Sequence, residues 1–153
     1  MTQRILTATR TAMAQAIITA LGSGAKIELW NGTMPTNLGT PGGTKLATGT
    51  FSGNIGTATG GGIDIDEASI SQTNSSHVDG TPTFARLTTS GGTVHYDISI
   101  GSGTDEWDFT GTVANGQNVT FTGLFATKQQ VGRAMQETSR SLRKTGLQTV
   151  KGV

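Results

Sequence analysis

The chain has 153 residues and a mass of 15.7 kDa, enough for one domain with an arm but not for two independent cores. It contains 23 glycines, 28 threonines and 11 serines, a composition typical of turns and β-strands, and only 33% of its residues are hydrophobic. There is no cysteine, which excludes disulfides, a thiol nucleophile and thiolate metal sites. No run of about 18 apolar residues is present, so the sequence predicts no membrane span.

The net charge of +1 hides a strong asymmetry along the chain. Residues 1–24 contain two arginines and no acid, residues 25–127 contain three bases and nine acids, and residues 128–153 contain six bases and one acid. Two basic ends therefore flank an acidic middle. Such ends can bind neighbouring copies or another acidic partner through an attraction that salt weakens.

The first predicted element is a helix over residues 2–21, where large apolar residues recur at spacings of seven, four and four. These residues are Leu6, Met13, Ile17 and Leu21. Glycines at positions 22 and 24 end the helix. From Lys26 to Trp30 the apolar period changes to two, which predicts a strand, and a turn-rich loop follows over residues 31–44.

Short strands separated by glycine turns follow. Lys45–Phe51 is predicted as a strand, residues 54–62 as too glycine-rich to pack well, and Ile63–Ser71 as a strand with a bulge near Asp66. Two hairpins come next. Thr83–Thr89 pairs with Thr93–Ile100, and Glu106–Val113 pairs with Asn118–Ala126 around an Asn115-Gly116 turn of type I′.

About seven such strands with no helix between them predict an antiparallel β-sandwich or jelly roll as the body, at residues 25–127. After residue 127 the sequence changes from short strand patterns to a helical pattern. Residues 128–145 predict an amphipathic helix, ended by Gly146, with an apolar stripe at spacings of four, three and four. The stripe is Val131, Met135, Thr138 and Leu142. So little apolar surface cannot hold an isolated helix, so we expect a partner to order this arm.

No motif for catalysis has the spacing that its chemistry requires. Residues 39–45 resemble a phosphate-binding loop, but Thr44 replaces the glycine before the lysine and Leu46 replaces the hydroxyl residue after it. Residues 75–79 contain serine, histidine and aspartate, yet triads are assembled from distant segments of a fold. The sequence therefore predicts no enzyme and no cofactor.

The acids cluster at Asp64–Glu67 and Asp105–Asp108. They lack the spacing of a calcium loop, so we predict solvated acidic faces and no metal site. The basic C-terminal segment has the charge to contact nucleic acid, but the acidic body would repel phosphate, which favours a protein partner. Trp30, Tyr96 and Trp107 are either a sugar-stacking platform or core and interface residues.

Several segments, in their order along the chain, resemble small virion proteins of tailed bacteriophages. They are the short helix at residues 7–17, followed by Leu29–Pro35, Gly43–Thr48, Phe84–Leu87 and Ser90–Val94. The resemblance covers roughly residues 4–125, and the basic segment after Thr127 departs from it. Proteins of this kind are β-rich accessory parts of the particle, including decoration or cement proteins on capsids.

The resemblance implies a non-enzymatic structural protein of the virion, a capsid decoration or cement protein that bridges neighbouring capsid subunits. The implied partners are the major capsid protein, other virion proteins and further copies of the chain, without nucleic acid or a membrane. The alternatives are a tail, neck or fibre component, or a carbohydrate-binding module that uses the three aromatic residues.

The expected contacts with such partners come from the two ends of the chain. The cationic residues expected to dock electrostatically are Arg4, Arg10, Arg133, Arg140, Arg143 and Lys144. The apolar residues expected to act as anchors are Met13, Ile17, Met135 and Leu142.

Overall fold

The computed structural model describes residues 4–101, 107–108, 111–121 and 125–126. This part of the chain is mainly β, with one N-terminal helix, α1 (Thr7–Leu21). The strands described are β1 (Lys26–Trp30), β2 (Lys45–Phe51), β3 (Gly56–Thr59), β4 (Gly62–Ile65), β5 (Ile70–Gln72), β6 (Phe84–Thr88), β7 (Val94–Gly101), β8 (Trp107–Asp108) and β9 (Phe125–Ala126).

Five antiparallel strands form a large sheet in the order β5-β2-β1-β6-β7, and β8 pairs in parallel with the end of β7. In β1, Ile27 and Leu29 are buried and the alternate residues are half-buried, because successive side chains of a strand point to opposite faces. The register places Glu28 of β1 opposite Arg86 of β6, and Arg86 opposite Asp97 of β7. One face of the sheet is therefore aliphatic, while the other, the outer face, carries charged side chains across its centre.

The hydrophobic core lies on the aliphatic face, where α1 and a small sheet cover it. The small sheet consists of the β3–β4 hairpin, to which β9 adds two residues beside β4. The helix ends at Gly22, whose φ of 70° suits a residue without a Cβ atom. The helix contributes Ala14, Ile18 and Leu21 to the core, and the small sheet contributes Ile63 and Ile65. Ile55, just before β3, is buried with them.

The outer face is covered differently, by the loop of residues 31–44, which we call the strap. A short 3₁₀ turn within it, Thr36–Leu38, contacts β7. The base of the strap is closed by Asn31, whose backbone N–H donates to the Thr44 carbonyl and whose Oδ1 accepts from the Thr44 N–H at 2.6 Å. The strap therefore folds back over the sheet instead of extending away from it.

Several sequence predictions are confirmed. The class is mainly β with an N-terminal helix, the bounds of β1 and β2 are those predicted, and β6 and β7 form the hairpin around residues 90–92. The predicted helical stripe is only partly right. Leu21 is buried and Ile17 half-buried against the core, but Leu6 and Met13 are exposed. Ala14 and Ile18 occupy the buried side instead.

Three predictions are wrong. Residues 54–62 do pack, because Ile55 is fully buried and β3 pairs with β4. Ile63–Ser71 is not one bulged strand, since its two ends, β4 and β5, belong to different sheets. The described parts of residues 106–126 do not pair as the predicted hairpin, because β8 joins the large sheet, β9 joins the small one and Val113 pairs with Gly80. Asn115 also lacks the positive φ that a type I′ turn requires.

Candidate interaction surfaces

A buried ion pair lies on the outer face between Arg86 and Asp97, whose side chains are 5% and 4% exposed. Arg86 donates from Nε to Asp97 Oδ1 and from Nη2 to Asp97 Oδ2, both at 2.7 Å. The hydrogen bond to Asp97 raises the pKa of Arg86, and the negative charges of Asp97 and Glu28 act in the same direction, against the effect of burial. Arg86 is therefore a fixed charge whose function is geometric and not acid–base.

The same guanidinium holds the strap. Arg86 Nη2 donates to the carbonyl oxygen of Gly39 at 2.9 Å. Thr83 adds a second attachment by donating from Oγ1 to the Gly32 carbonyl. The sequence analysis did not predict this attachment of the strap by Arg86. The sequence does indicate a buried ion pair, because Arg86 lies in a strand of apolar neighbours and Asp97 lies on the polar side of the strand predicted to pair with it.

A second group surrounds Trp30, at the end of β1 on the outer face. Its ring stacks on Phe84 with centroids 6.4 Å apart and planes 11° apart, and its Nε1 donates to Glu28. Lys45 Nζ lies 3.0 Å from Glu28 Oε1 and 5.9 Å from the centroid of the Trp30 ring. These contacts fix Trp30 between a buried ring and a cation, on the side of the sheet opposite to the core.

The proposed sugar platform of three rings is not assembled by the described residues. Trp30 lies on the outer face with Phe84, whereas Tyr96 packs against the core on the opposite face. The side chain of Trp107 lies outside the described residues. Two of the three rings therefore point away from each other.

The loop that contains His77, residues 74–80, is hydrogen-bonded to a distant part of the chain. His77 is buried, and its Nδ1 lies 2.9 Å from the Gln117 carbonyl oxygen, so this nitrogen carries the proton. Asn115 donates from Nδ2 to the carbonyl of His77 and from its backbone N–H to Asp79 Oδ1. Ser76 donates to the Thr73 carbonyl. Each residue type of a triad is thus bonded to backbone, and the loop joins residues 74–80 to residues 113–117.

The first acidic cluster borders an open cleft of about 530 Å³. Asp64 and Asp66 line it, together with hydroxyl and amide side chains. Among the residues that the structure describes, no group of three or more histidine, aspartate or glutamate side chains is close enough to hold a metal ion. The side chains of the second cluster, Asp105–Asp108, lie outside the described residues.

Both ion pairs found among the described residues use bases of the acidic middle. Lys45 pairs with Glu28 and Arg86 with Asp97, so two of the three bases between residues 25 and 127 are neutralised within the body. Asp64, Asp66 and Asp79 remain exposed. The described body thus presents a negative surface.

The N-terminal residues predicted to contact partners lie in two different environments. Arg4 and Met13 are exposed, whereas Arg10 and Ile17 are half-buried. Arg10 donates to Thr7 Oγ1 of the same helix at 3.1 Å. The C-terminal residues predicted to contact partners, like all residues after Ala126, lie outside the described residues; they are Arg133, Met135, Arg140, Leu142, Arg143 and Lys144.

Comparison with protein-family models, with curated proteins and with solved structures found no match for this chain. Among the described residues, no helix has the length and apolarity needed to cross a bilayer.

Proposed function

We propose that the protein is a non-enzymatic structural protein of a tailed-bacteriophage particle. In this proposal it decorates the capsid and bridges neighbouring capsid subunits, together with further copies of itself. Its body is a β-sandwich or jelly roll, in which α1 and the small sheet form the second layer, and residues 128–145 form a helical arm.

The observation that carries the proposal is the separation of charge. The two ends hold eight of the eleven lysines and arginines, and the middle holds nine of the ten acids. Within the body, Arg86 and Lys45 are already paired with Asp97 and Glu28, so they do not offset the exposed acids. A negative body with positive ends favours contact with acidic surfaces of neighbouring molecules, including the bodies of further copies.

Such contacts stabilise a shell by mass action. A protein that binds the assembled shell, and not its separated subunits, shifts the equilibrium toward assembly. Each end adds to the retention of a body that is already docked. The end is tethered to the docked body, so it binds the neighbouring surface at a high effective concentration. Arg4, Arg133, Arg140, Arg143 and Lys144 provide the attraction, which salt weakens.

Mass spectrometry of purified particles, with copies counted against the major capsid protein, tests this function. We expect a copy number comparable with that of the capsid protein. A copy number that fits a single ring would place the protein in the neck or tail instead. Its absence from purified particles would contradict the proposal altogether.

A further inference from the structure

The chain contains two Asn-Gly dipeptides, Asn31-Gly32 at the base of the strap and Asn115-Gly116 in the turn after Val113. Asparagine is one of the chemically labile residues of proteins. It is most labile before glycine, because glycine has no Cβ atom to hinder attack of its backbone nitrogen on the asparagine side chain. Since the two dipeptides are identical, the structure around each one decides how fast it reacts.

The side-chain amide of Asn115 is held away from this reaction. Its Nδ2, the group that must leave, donates to the carbonyls of Ser75 and His77 at 3.1 and 2.7 Å. The attacking nitrogen is also occupied, because the Gly116 N–H donates to the Asn74 carbonyl at 3.0 Å. The reaction would have to break all three hydrogen bonds. The folded chain therefore protects Asn115, although its side chain is exposed.

Asn31 has different surroundings. Among the residues that the structure describes, none accepts a hydrogen bond from Asn31 Nδ2 or from the Gly32 N–H. Asn31 Oδ1, in contrast, accepts the backbone N–H of Thr44 at 2.6 Å. A donor on this oxygen polarises the amide and stabilises the negative charge that the oxygen acquires when Cγ is attacked. The nucleophile and the leaving group are thus free, and the oxygen that becomes negative already has its donor.

We propose that Asn31-Gly32 is a site of spontaneous deamidation in the folded protein, whereas Asn115-Gly116 is protected. The Gly32 nitrogen loses its proton and bonds to Asn31 Cγ, the Cγ–Nδ2 bond breaks, and ammonia leaves with the proton. Water then opens the resulting succinimide. Cleavage of the bond from nitrogen to the side-chain carbonyl gives aspartate, and cleavage of the bond to the main-chain carbonyl gives isoaspartate. Water is the only co-reactant.

The two products affect the strap differently. Aspartate leaves the main chain unchanged, so its carboxylate still accepts the Thr44 N–H. Isoaspartate adds a methylene to the main chain between residues 31 and 32. The base of the strap is too closely packed for this change, because even a Cβ atom at Gly43 would collide with the Asn31 backbone oxygen. Isoaspartate therefore opens the base of the strap, a consequence that does not depend on the proposed function.

Peptide mapping by mass spectrometry tests the site. The full-length protein is incubated at mildly alkaline pH, folded and in denaturant, and the deamidated fractions at Asn31 and Asn115 are followed with time. In denaturant the two residues should react at similar rates. In the folded protein we expect Asn31 to react at least about tenfold faster, since Asn115 must first open locally. A smaller ratio in the folded protein, or as large a ratio in denaturant, would overturn the proposal.

A variant checks that hydrogen bonding protects Asn115. Asp79 holds the turn by accepting the Asn115 backbone N–H at 2.7 Å. Loss of one such bond in Asp79→Ala should speed deamidation at Asn115 about fivefold and leave Asn31 unchanged. Asp64→Ala, which removes an exposed acid of the small sheet, should change neither rate. An unchanged rate at Asn115 in Asp79→Ala would contradict protection by these bonds.

The opening of the strap has its own control. The isoaspartate form is isolated from aged protein by chromatography and compared with Asn31→Asp, which carries the same charge without the added methylene. In hydrogen exchange we expect the Thr44 amide to exchange at least about tenfold faster in the isoaspartate form. Equal protection of this amide in the two proteins would contradict the opening of the strap.

Discussion

The aliphatic face of the large sheet is covered by a helix and a small sheet that bury side chains such as Ile18 and Ile63, whereas the outer face is covered by an uncharged strap. The helix and the small sheet are held on the large sheet by burial of apolar surface, an interaction that is not directional. The strap depends on a few hydrogen bonds, above all that from Arg86 to Gly39. The two faces should therefore respond differently to substitution, and the outer face should depend strongly on single polar groups.

The largest expected effect is that of Asp97→Ala. The change leaves the buried guanidinium of Arg86 without its counter-charge, and we expect the free energy of unfolding to fall by about 4 kcal/mol. Urea denaturation measures the loss. Asp64→Ala, an exposed acid, serves as the control and should change stability by less than about 0.5 kcal/mol.

The double variant Arg86→Met with Asp97→Leu sharpens the same comparison. Replacing both charges by apolar side chains should restore much of the lost stability, because no unpaired charge then remains buried. If the double variant is as unstable as Asp97→Ala, the contribution of the ion pair to the free energy of unfolding cannot be replaced by burying apolar groups in its place.

On the aliphatic face, Leu29→Ala should lower the free energy of unfolding by about 3 kcal/mol. Leu29 is fully buried in the core, so its truncation leaves a cavity. Thermal or urea denaturation measures the change, and Val78→Ala, at a side chain 45% exposed, should cost less than about 1 kcal/mol. Similar losses at the two positions would show that the core is not where we place it.

A pair of adjacent glycines tests how the strap closes. A Cβ atom at Gly43 would collide with the backbone oxygen of Asn31, whereas one at Gly42 would meet no atom within 4 Å. We expect Gly43→Ala to cost about 2 kcal/mol and Gly42→Ala less than about 0.5 kcal/mol. Equal stabilities of the two variants would contradict the close contact at the base of the strap.

The smallest effect belongs to Lys45, whose ion pair with Glu28 is partly exposed. Lys45→Ala should cost about 0.5 kcal/mol at low salt. The difference from the unsubstituted chain should shrink further in about 1 M salt, where screening is strong. A loss that is large and independent of salt would show that Lys45 acts through its packing on Trp30 instead.

The sequence predicts the aliphatic face better than the outer face, and the reason is periodicity. Ile27 and Leu29 alternate with polar residues, which fixes both the strand and its buried side. The ion pair of Arg86 and Asp97 depends on the strand register instead. Pairing Thr89 with Thr93 in an unbroken hairpin would place Arg86 opposite Tyr96, but an irregularity between Leu87 and Thr88 shifts Arg86 opposite Asp97.

Long-range pairing explains the remaining errors. Nothing in Ile63–Ser71 indicates that its two halves join different sheets, since each half pairs with a strand distant in sequence or across a turn. The Asn115-Gly116 turn forms, but its flanks bond elsewhere: Val113 pairs with Gly80, and Val119 bonds to the Gln72 side chain. For the residues predicted to contact partners, the sequence gives their types and charges, while their surroundings depend on tertiary contacts.

The most direct test of the proposed adhesion is the number of copies retained on purified particles when residues 128–153 are deleted, measured across a salt series. The full-length protein should be retained at low salt and released as salt rises. The deletion should reduce retention at low salt by at least about tenfold, through loss of the cationic contacts. Equal retention of the two proteins at every salt concentration would contradict the account.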